Sequence, residues 1–290
     1  GLSNGLSSEK IFKSLDYKIY AELAVFSQMP EKIGELAGRV SRVVIDEPNS
    51  EYAKAIRRIA REIGDVRVGL ALSGGAAFGL AHIGVIKVLE KEDIPIDMVV
   101  GSSMGALIGA LWAVGFNSKE IEKIVLEYNN NKKKVFRLLI DPCFPKLSFA
   151  RGRRIRTFLE KYIHHKTFKD IKFPFKVVGC NLSKRQEIIF DSGNLLDAVM
   201  ASIAIPGVFA PTKINGDLII DGGVIEPVPI GTLVKLGINK IIAVNVLPSP
   251  ENIALSYEFN LRSIEKEKKE APQKGFFAKI LCNLRIYLNK

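Results

Sequence analysis

One serine stands in a sequence context that favours a nucleophile. Ser103 is the middle residue of the pattern Gly101-x-Ser103-x-Gly105, which follows the apolar run 98–100 and precedes a small-residue helix predicted to end near Ala113. The sharp turn of such a strand–turn–helix lifts the serine hydroxyl above the edge of a sheet, where a substrate carbonyl can reach it. Flanking glycines allow the strained turn and the close passage of strand and helix. The pattern favours a nucleophile over the alternative, a tight turn with a buried serine.

A second glycine-rich turn lies one strand–helix unit earlier. A strand is predicted at Val66–Leu72 and a helix at Leu80–Lys91, with the loop 73–79 between them. Backbone N–H groups of such a loop can bind an anion. A dinucleotide fingerprint is disfavoured because Ala76 replaces a required glycine, and a P-loop is disfavoured because Gly-Lys-Ser/Thr is missing. The remaining interpretation is an oxyanion hole beside the nucleophile.

The histidines of the chain disfavour a Ser-His-acid triad. The chain has three, and none follows the candidate acid as it does in α/β-hydrolases. His82 lies in the helix after the glycine-rich loop and is interpreted as a packed or capping residue. His164 and His165 end a basic helix and are predicted to lie at the surface.

Asp221 is the better candidate for a general base. It closes the short buried strand 218–220, and the glycines at 222 and 223 would let a serine approach closely. The alternative is an ordinary Asp-Gly-Gly turn. A carboxylate with a pKa near its reference value of about 4 is a weak base at neutral pH. A Ser103–Asp221 pair therefore needs a dry site that raises the pKa of the aspartate.

Predicted strands and helices alternate along the middle of the chain. Further strands are predicted at 175–181, 187–191 and 240–246, further helices at 119–128, 151–163, 194–201 and 230–236, and a loop at 204–212. This order predicts an α/β fold with a central, mostly parallel sheet flanked by helices. The chemistry of such sheets lies at the carboxyl ends of the strands, where Gly74, Ser103 and Asp221 all fall.

The chain is predicted to have three segments. Residues 1–64 form a helical N-terminal extension, 65–250 the catalytic domain, and 251–290 a charged linker with an amphipathic C-terminal helix. The last helix of the extension, 51–63, is expected to turn its arginines to solvent and to bury Ala53, Ile56, Ile59 and Ala60.

Composition and charge limit the compartment and the partners. No apolar run approaches the roughly 20 residues of a membrane-spanning helix, and three scattered cysteines favour a reducing, cytoplasmic compartment. Because the chain begins with Gly1 rather than Met, the absence of a targeting segment decides nothing. The formal net charge is +11, and ten Lys and Arg residues between Lys132 and Lys161 accompany only Asp141 and Glu160.

The basic stretch either binds an anionic partner or is a solvated face. The C-terminal helix is basic and amphipathic over 276–288, which suits a membrane interface or packing on the core or on a second subunit. Peripheral membrane contact is the hypothesis that links these two features. Nucleic acid is disfavoured because the basic stretch lacks interleaved aromatic residues and a recognisable binding motif. The sequence leaves the oligomeric state open.

Together these motifs resemble the patatin-like phospholipases, in particular the bacterial relatives of the neuropathy target esterase catalytic domain. The resemblance covers roughly Arg67 to Leu247. Its ordered parts are the glycine-rich loop with its continuation to residue 85, the elbow 101–105, and the sequence 221–223. The segment 201–207 also resembles a block that this family carries before the aspartate.

By this resemblance Ser103 is the nucleophile and Asp221 the base of a catalytic dyad, and the amides of Gly74, Gly75 and Ala76 form the oxyanion hole. The glycines that support the motifs are Gly101, Gly105, Gly222 and Gly223. The implied activity is hydrolysis of acyl esters of phospholipids or lysophospholipids, with no metal and no cofactor.

Two positions depart from the pattern of the family. Phe78 stands where the family usually carries Arg or Lys, and Ser73 replaces a common glycine. Backbone donors survive both changes, whereas the lost charge is expected to slow the enzyme or to change its preference for the head group or the acyl chain.

Two alternatives to hydrolysis are acyl transfer to an acceptor other than water and a membrane-associated adaptor with a degenerate site. A malonyl-type acyltransferase is disfavoured, since it needs a suitably placed histidine.

Overall fold

The computed structural model describes residues 50–129 and 148–249. The helices are α1 (Glu51–Ile63), α2 (Ala81–Lys91), α3 (Met104–Val114), α4 (Ser118–Asn129), α5 (Arg153–Ile163), α6 (Leu195–Ser202) and α7 (Ile230–Lys235). The strands are β1 (Val68–Leu72), β2 (Met98–Ser102), β3 (Ser148–Ala150), β4 (Phe175–Asn181), β5 (Gln186–Phe190), β6 (Gly207–Phe209), β7 (Thr212–Ile214), β8 (Asp217–Asp221) and β9 (Lys240–Val244). Two short 3-10 helices span Ala76–Leu80 and Gly222–Val224.

A seven-stranded sheet organises the described residues. The hydrogen-bonded order of its strands is β7-β8-β4-β2-β1-β9, and β5 also pairs with β4. β8 and β2 lie one after the other along one edge of β4, and β5 occupies the opposite edge. The strands β9, β1, β2 and β4 pair in parallel, whereas β5 and β8 are antiparallel to β4 and β7 is antiparallel to β8. The predicted α/β fold with a helix-flanked central sheet is confirmed. The sheet itself is mixed, with a parallel part and an antiparallel part.

Helices cover both faces of the parallel part, and alternate residues of β1 separate the two layers. Leu70 and Leu72 belong to the larger core cluster, which includes buried residues of α2, α3, α5 and α6. Ala71 faces the smaller cluster together with Leu233 of α7. Because the strand is buried on both faces, its sequence is an almost continuous apolar run.

Two short strands lie in stretches where the sequence predicted no strand. The predicted loop 204–212 contains β6, which pairs in parallel with β3 in a separate two-stranded sheet. β3 lies in the basic stretch between Lys132 and Lys161, before the helix predicted at 151–163. Each of these strands has three residues, too few to show an alternation, and their pairing joins distant parts of the chain.

The orientation of α1 is another correction. Ser50 caps this helix by accepting a hydrogen bond from the Ala53 N–H (3.2 Å), and Ala53 is buried as predicted. Ala60, however, is exposed, and Arg61 turns inward onto Asp97 (2.7 Å), whose side chain is only 1% exposed. A buried carboxylate needs a charged partner, and this need outweighs the tendency of an arginine to face solvent.

The chain divides into two units, Gly1–Val246 and Leu247–Lys290. The predicted segments 1–64, 65–250 and 251–290 stay a prediction, because residues 1–49 and 250–290 lie outside the described residues. Of the second unit only residues 247–249 are described, so the predicted C-terminal helix lies outside the described residues. Most of the extension and much of the basic stretch from Lys132 also lie outside them. Within the described ranges, no helix is both long and apolar enough to cross a bilayer.

Candidate active site

The turn at Ser103 has the strained backbone that its motif predicts. Ser103 lies between β2 and α3 with φ of 52° and ψ of −118°, a conformation that L-residues seldom adopt. A Cβ on Gly101 would approach the backbone of Ala106 to 2.6 Å, and one on Gly105 would overlap the Leu72 carbonyl. The two glycines therefore let α3 pass directly over the strands.

Ser103 and Asp221 meet as the dyad interpretation requires. The Ser103 Oγ–H donates to Asp221 Oδ2 at 2.6 Å, and the two residues are only 6% and 5% exposed. The other carboxylate oxygen, Oδ1, accepts a hydrogen bond from the Gly223 N–H at 2.7 Å. One oxygen of Asp221 is thus held by the backbone, and the other is directed at the serine hydroxyl.

Strand β4 sets the distance between the two residues. β2 and β8 share one edge of β4, because β5 occupies the other edge over residues 177–181. Along this edge Ser102 pairs with Val178, and Asp221 pairs with the next residue, Gly179. The ends of β2 and β8 therefore face each other across consecutive residues of one strand. A Cβ on residue 222 would overlap the Val178 carbonyl, so a glycine is needed at this junction.

Ser202 is a supporting residue that sequence reasoning missed. Its Oγ accepts a hydrogen bond from the Ser103 N–H at 2.9 Å and donates one to the Val178 carbonyl at 2.6 Å. This buried hydroxyl ties the elbow to β4 and to the end of α6. The only signal in the sequence was its place in the segment 201–207, which resembled a family block without a role for this residue.

The surroundings of Asp221 change the pKa of its carboxyl group. Burial raises the pKa of the Asp221 carboxyl above its usual value, and the hydrogen bonds from Ser103 and Gly223 partly oppose this shift. A raised pKa makes the carboxylate a better proton acceptor than an exposed aspartate at the same pH. The predicted need for a dry site is consistent with this burial.

The glycine-rich loop lies against Ser103, and its own hydrogen bonds change the predicted set of oxyanion donors. A Cβ on Gly74 would lie 3.3 Å from the Cβ of Ser103, so the two turns are in contact. The Gly74 N–H, however, donates to the Pro227 carbonyl at 2.8 Å and is not available to an oxyanion in this arrangement. The predicted three donors are therefore reduced to Gly75 and Ala76, which begin a 3-10 helix with φ of 149° and 47°. The first N–H groups of a helix lack intrahelical acceptors and suit an anion.

His82 supports the glycine-rich loop through a hydrogen bond to its first residue, Ser73. Its Nε2–H donates to the Ser73 carbonyl at 2.8 Å, and burial lowers the pKa of His82, an effect partly offset by this hydrogen bond. The neutral ring is a packed residue, as the sequence predicted, and fixes the start of the loop. His164 and His165 are exposed, which is also as predicted.

Phe78 belongs to this loop and leaves its backbone intact. The Phe78 N–H donates to the Gly75 carbonyl (3.0 Å), and the side chain is 62% exposed.

No group of three or more His, Cys, Asp or Glu side chains is arranged for a metal ion anywhere in residues 50–129 and 148–249. The polar groups that meet at this site are the Ser103 hydroxyl, the Asp221 carboxylate and backbone amides.

The fold and this site define an α/β protein with a serine–aspartate pair at a nucleophile elbow. The family model "Patatin-like phospholipase" matches residues 70–234, more than half of the chain. The chain belongs to the patatin-like phospholipase family, which confirms the resemblance seen in the motifs.

Similar proteins are much longer than this chain. Lysophospholipase NTE1 of Candida albicans is 28% identical over 206 residues, and neuropathy target esterase sws of Drosophila melanogaster is 32% identical over 210 residues. Each match covers 71% of this chain but only 15% and 14% of those relatives. Among solved structures, VipD from Legionella pneumophila superposes with a TM-score of 0.44 and 18% identity, over 54% of this chain and 45% of that one.

Proposed function

We propose that the protein hydrolyses acyl ester bonds of phospholipids or lysophospholipids with Ser103 as nucleophile and Asp221 as general base. The observation that carries the proposal is the 2.6 Å hydrogen bond from Ser103 Oγ to Asp221 Oδ2 at a buried, strained elbow. Membership of the patatin-like phospholipase family and the names of the lysophospholipase relatives support this substrate class.

Acylation begins at this hydrogen bond. Ser103 Oγ attacks the ester carbonyl carbon while its proton passes to Asp221 Oδ2. The carbonyl oxygen becomes an oxyanion, for which the amides of Gly75 and Ala76 and the N-terminus of α3 supply positive potential. When the tetrahedral intermediate collapses, the carbon–oxygen bond to the leaving group breaks and Asp221 returns the proton to the departing alkoxide.

Deacylation repeats these steps with water. Asp221 takes a proton from water, the hydroxide attacks the acyl-serine, and the fatty acid leaves as the proton returns to Ser103 Oγ. The same acyl-enzyme can pass its acyl group to an alcohol, which is the acyl-transfer alternative. The two outcomes differ only in which hydroxyl compound reaches the acyl-serine first.

The substrate class implies contact with a lipid surface. The features predicted to provide it, the basic stretch from Lys132 and the C-terminal helix at 276–288, lie mostly outside the described residues. Peripheral membrane binding is therefore proposed from the sequence. Pelleting with anionic liposomes at low and high salt tests it, and failure of the intact chain to pellet would remove it.

The activity is tested by hydrolysis of a p-nitrophenyl ester and of a lysophospholipid. Ser103→Ala and Asp221→Asn are each expected to lower kcat/KM at least about a thousandfold, because each removes one half of a unit that acts together. Asp191→Asn, at an exposed aspartate paired with Lys176 (2.8 Å), is the matched control and should retain activity.

Product analysis separates the alternatives. Free fatty acid as the main product supports hydrolysis, and a new ester formed with added glycerol or lysolipid supports acyl transfer. If the wild type is inert and Phe78→Arg restores turnover, the loop substitution has silenced the site and the adaptor alternative leads. Activity that survives in both dyad variants would contradict the proposed mechanism.

A further inference from the structure

The glycine-rich loop leaves the sheet at Ser73, the residue directly after β1. β1 pairs in parallel with β9, with Leu72 beside Val244, and the Ser73 N–H donates to the Val244 carbonyl at 3.1 Å. Hydrogen bonds between parallel strands are evenly spaced. In a continued pairing, the next bond would run from the Val246 N–H to the Ser73 carbonyl.

The Ser73 hydroxyl takes the place of that carbonyl. The Val246 N–H donates to Ser73 Oγ at 3.0 Å. The Ser73 carbonyl instead accepts the hydrogen bond from His82 Nε2–H in α2 at 2.8 Å, and both residues are fully buried. The chain therefore turns out of the sheet at residue 73 while the Val246 N–H keeps an acceptor.

Val246 connects this hydrogen bond to the loop itself. A Cβ on Gly75 would lie 2.6 Å from Val246 Cγ2, so the backbone of Gly75 lies directly against this side chain. Of the three atoms nearest to that position, only Val246 Cγ2 comes from outside the loop. Ala76, the next residue, has φ of 47°, a conformation that persists only where the surroundings hold it.

The two ends of the loop are fixed by contacts that do not involve Ser73. The Gly74 N–H donates to the Pro227 carbonyl at 2.8 Å, and a Cβ on Gly79 would overlap Met104 Cγ. The two amides proposed to bind the oxyanion, those of residues 75 and 76, lie between these fixed points. Their support from outside the loop is the contact with residue 246.

We infer that Ser73 is a positioning residue for the proposed oxyanion site. Its hydroxyl holds Val246 against Gly75, and this contact sets the direction of the Gly75 and Ala76 amides. Donors stabilise an oxyanion most when they are in place before the charge develops. The catalytic consequence rests on the proposed function, whereas the effect on the loop does not.

Removal of the hydroxyl leaves two arrangements, and each disturbs the loop. In Ser73→Ala the Val246 N–H can stay without an acceptor, which costs free energy and loosens its contact with Gly75. Alternatively, the carbonyl of residue 73 leaves His82 and completes the regular pairing with β9. The peptide that follows then turns, and the Gly75 amide changes direction.

Amide hydrogen exchange of the full chain measures the position of the loop without any substrate. In Ser73→Ala, the hydrogen-bonded amides of Gly74, Phe78 and Val246 are expected to exchange at least tenfold faster, while those of β2 stay within twofold. The matched control is Ser118→Ala, a buried serine at the start of α4, which should leave all of these rates within twofold. Unchanged exchange in the loop, or equal acceleration in β2, would overturn the inference.

A second variant tests the same contact from its other side. Val246→Ala removes the side chain that lies against Gly75 and keeps the N–H that bonds to Ser73. Exchange at Gly74 and Phe78 is expected to accelerate at least about threefold. This variant decides the test if Ser73→Ala fails to fold, and unchanged exchange in it would contradict the role of the contact.

Hydrolysis of the p-nitrophenyl ester measures the catalytic consequence. Ser73→Ala is expected to lower kcat at least about tenfold and to leave KM within twofold, because the amides act on the transition state rather than on bound substrate. Ser118→Ala should keep both constants within twofold. Faster exchange in the loop with unchanged kcat would overturn the positioning role. If the wild type is inert, the proposed function fails, and the exchange rates still decide whether Ser73 holds the loop.

Discussion

Ser103 and Asp221 come from two parts of the sheet that are built differently. Ser103 follows β2, whose neighbours β1 and β4 run parallel to it, whereas Asp221 ends β8, whose neighbours β4 and β7 run antiparallel to it. In the parallel part, consecutive residues form the strand, the turn and the helix that present the serine. In the antiparallel part, the aspartate is placed only by the pairing of β8 with β4. The position of the proposed nucleophile thus depends on local backbone geometry, and the position of the proposed base depends on the register of strand pairing.

The largest effect is expected where the parallel part is packed most closely. Gly105→Ala places a Cβ on the Leu72 carbonyl, so the free energy of unfolding should fall by about 3 kcal/mol and activity should be lost. The control is Gly84→Ala in α2, where an added Cβ meets no atom within 4 Å and helix propensity should add about 0.5 to 1 kcal/mol. Urea unfolding followed by circular dichroism measures both. Equal stability of the two variants would contradict the packing argument.

The next effect tests the link between the two parts of the sheet. Ser202→Ala leaves the Ser103 N–H and the Val178 carbonyl without their shared partner. Unfolding should become easier by about 1 to 3 kcal/mol, and kcat should fall because the elbow is less firmly held. The exposed Ser183→Ala should change stability by less than about 0.5 kcal/mol. Unchanged kcat in the Ser202→Ala variant would show that the elbow holds Ser103 in place without this hydroxyl.

A change of pH tests the aspartate alone. Asp221 accepts a proton only when it is ionised, so kcat/KM should fall as pH decreases through its raised pKa, with a midpoint above the ordinary value of about 4. For stability the sign is opposite, since a raised pKa gives a contribution that is present at low pH and lost as pH rises through that pKa. Asp221→Asn should therefore be more stable than the wild type at neutral pH, and this difference should vanish in acid.

Two measurements test this interpretation of Asp221. The first is kcat/KM of the wild type as a function of pH, and the second is urea unfolding of the wild type and of Asp221→Asn at several pH values. A flat rate profile down to pH 4, or a variant less stable at neutral pH, would contradict the buried-base interpretation.

The smallest effect concerns a carboxylate on β5 in the antiparallel part. Hydrogen bonding, first from Glu226 and then from Lys235 and Thr232, lowers the pKa of Glu187 to about 2 against the opposing effect of burial. A lowered pKa stabilises the fold above the ordinary value of 4.5 and ceases to do so as pH falls toward 2. Glu187→Gln should cost less than about 1 kcal/mol at neutral pH because solvent screens the pair with Lys235. Urea unfolding at pH 7, 5 and 3 should show the cost shrinking, and a constant cost would contradict it.

The sequence predicted features whose cause is local. The elbow around Ser103 and the Asp-Gly-Gly sequence at Asp221 both contain their glycines within a few residues, and strand–helix alternation predicts the fold class. Sequence could not predict which strands run antiparallel, because the direction of β8 depends on its distant partner β4. The engagement of the Gly74 amide by Pro227, the role of Ser202 and the inward turn of Arg61 are likewise long-range contacts.

The placement of Ser103 and Asp221 beside one shared strand, β4, has a consequence during synthesis of the chain. Ser103 and Asp221 are 118 residues apart in sequence, and the elbow leaves the ribosome well before β8. Contacts of such separation form slowly, because a long loop must close before they stabilise anything. A nascent or truncated chain that ends before Asp221 therefore carries Ser103 without the carboxylate that is its hydrogen-bond partner in the complete sheet. If Ser103 and Asp221 act together as proposed, such an incomplete chain has no turnover, and activity then reports the completion of the sheet.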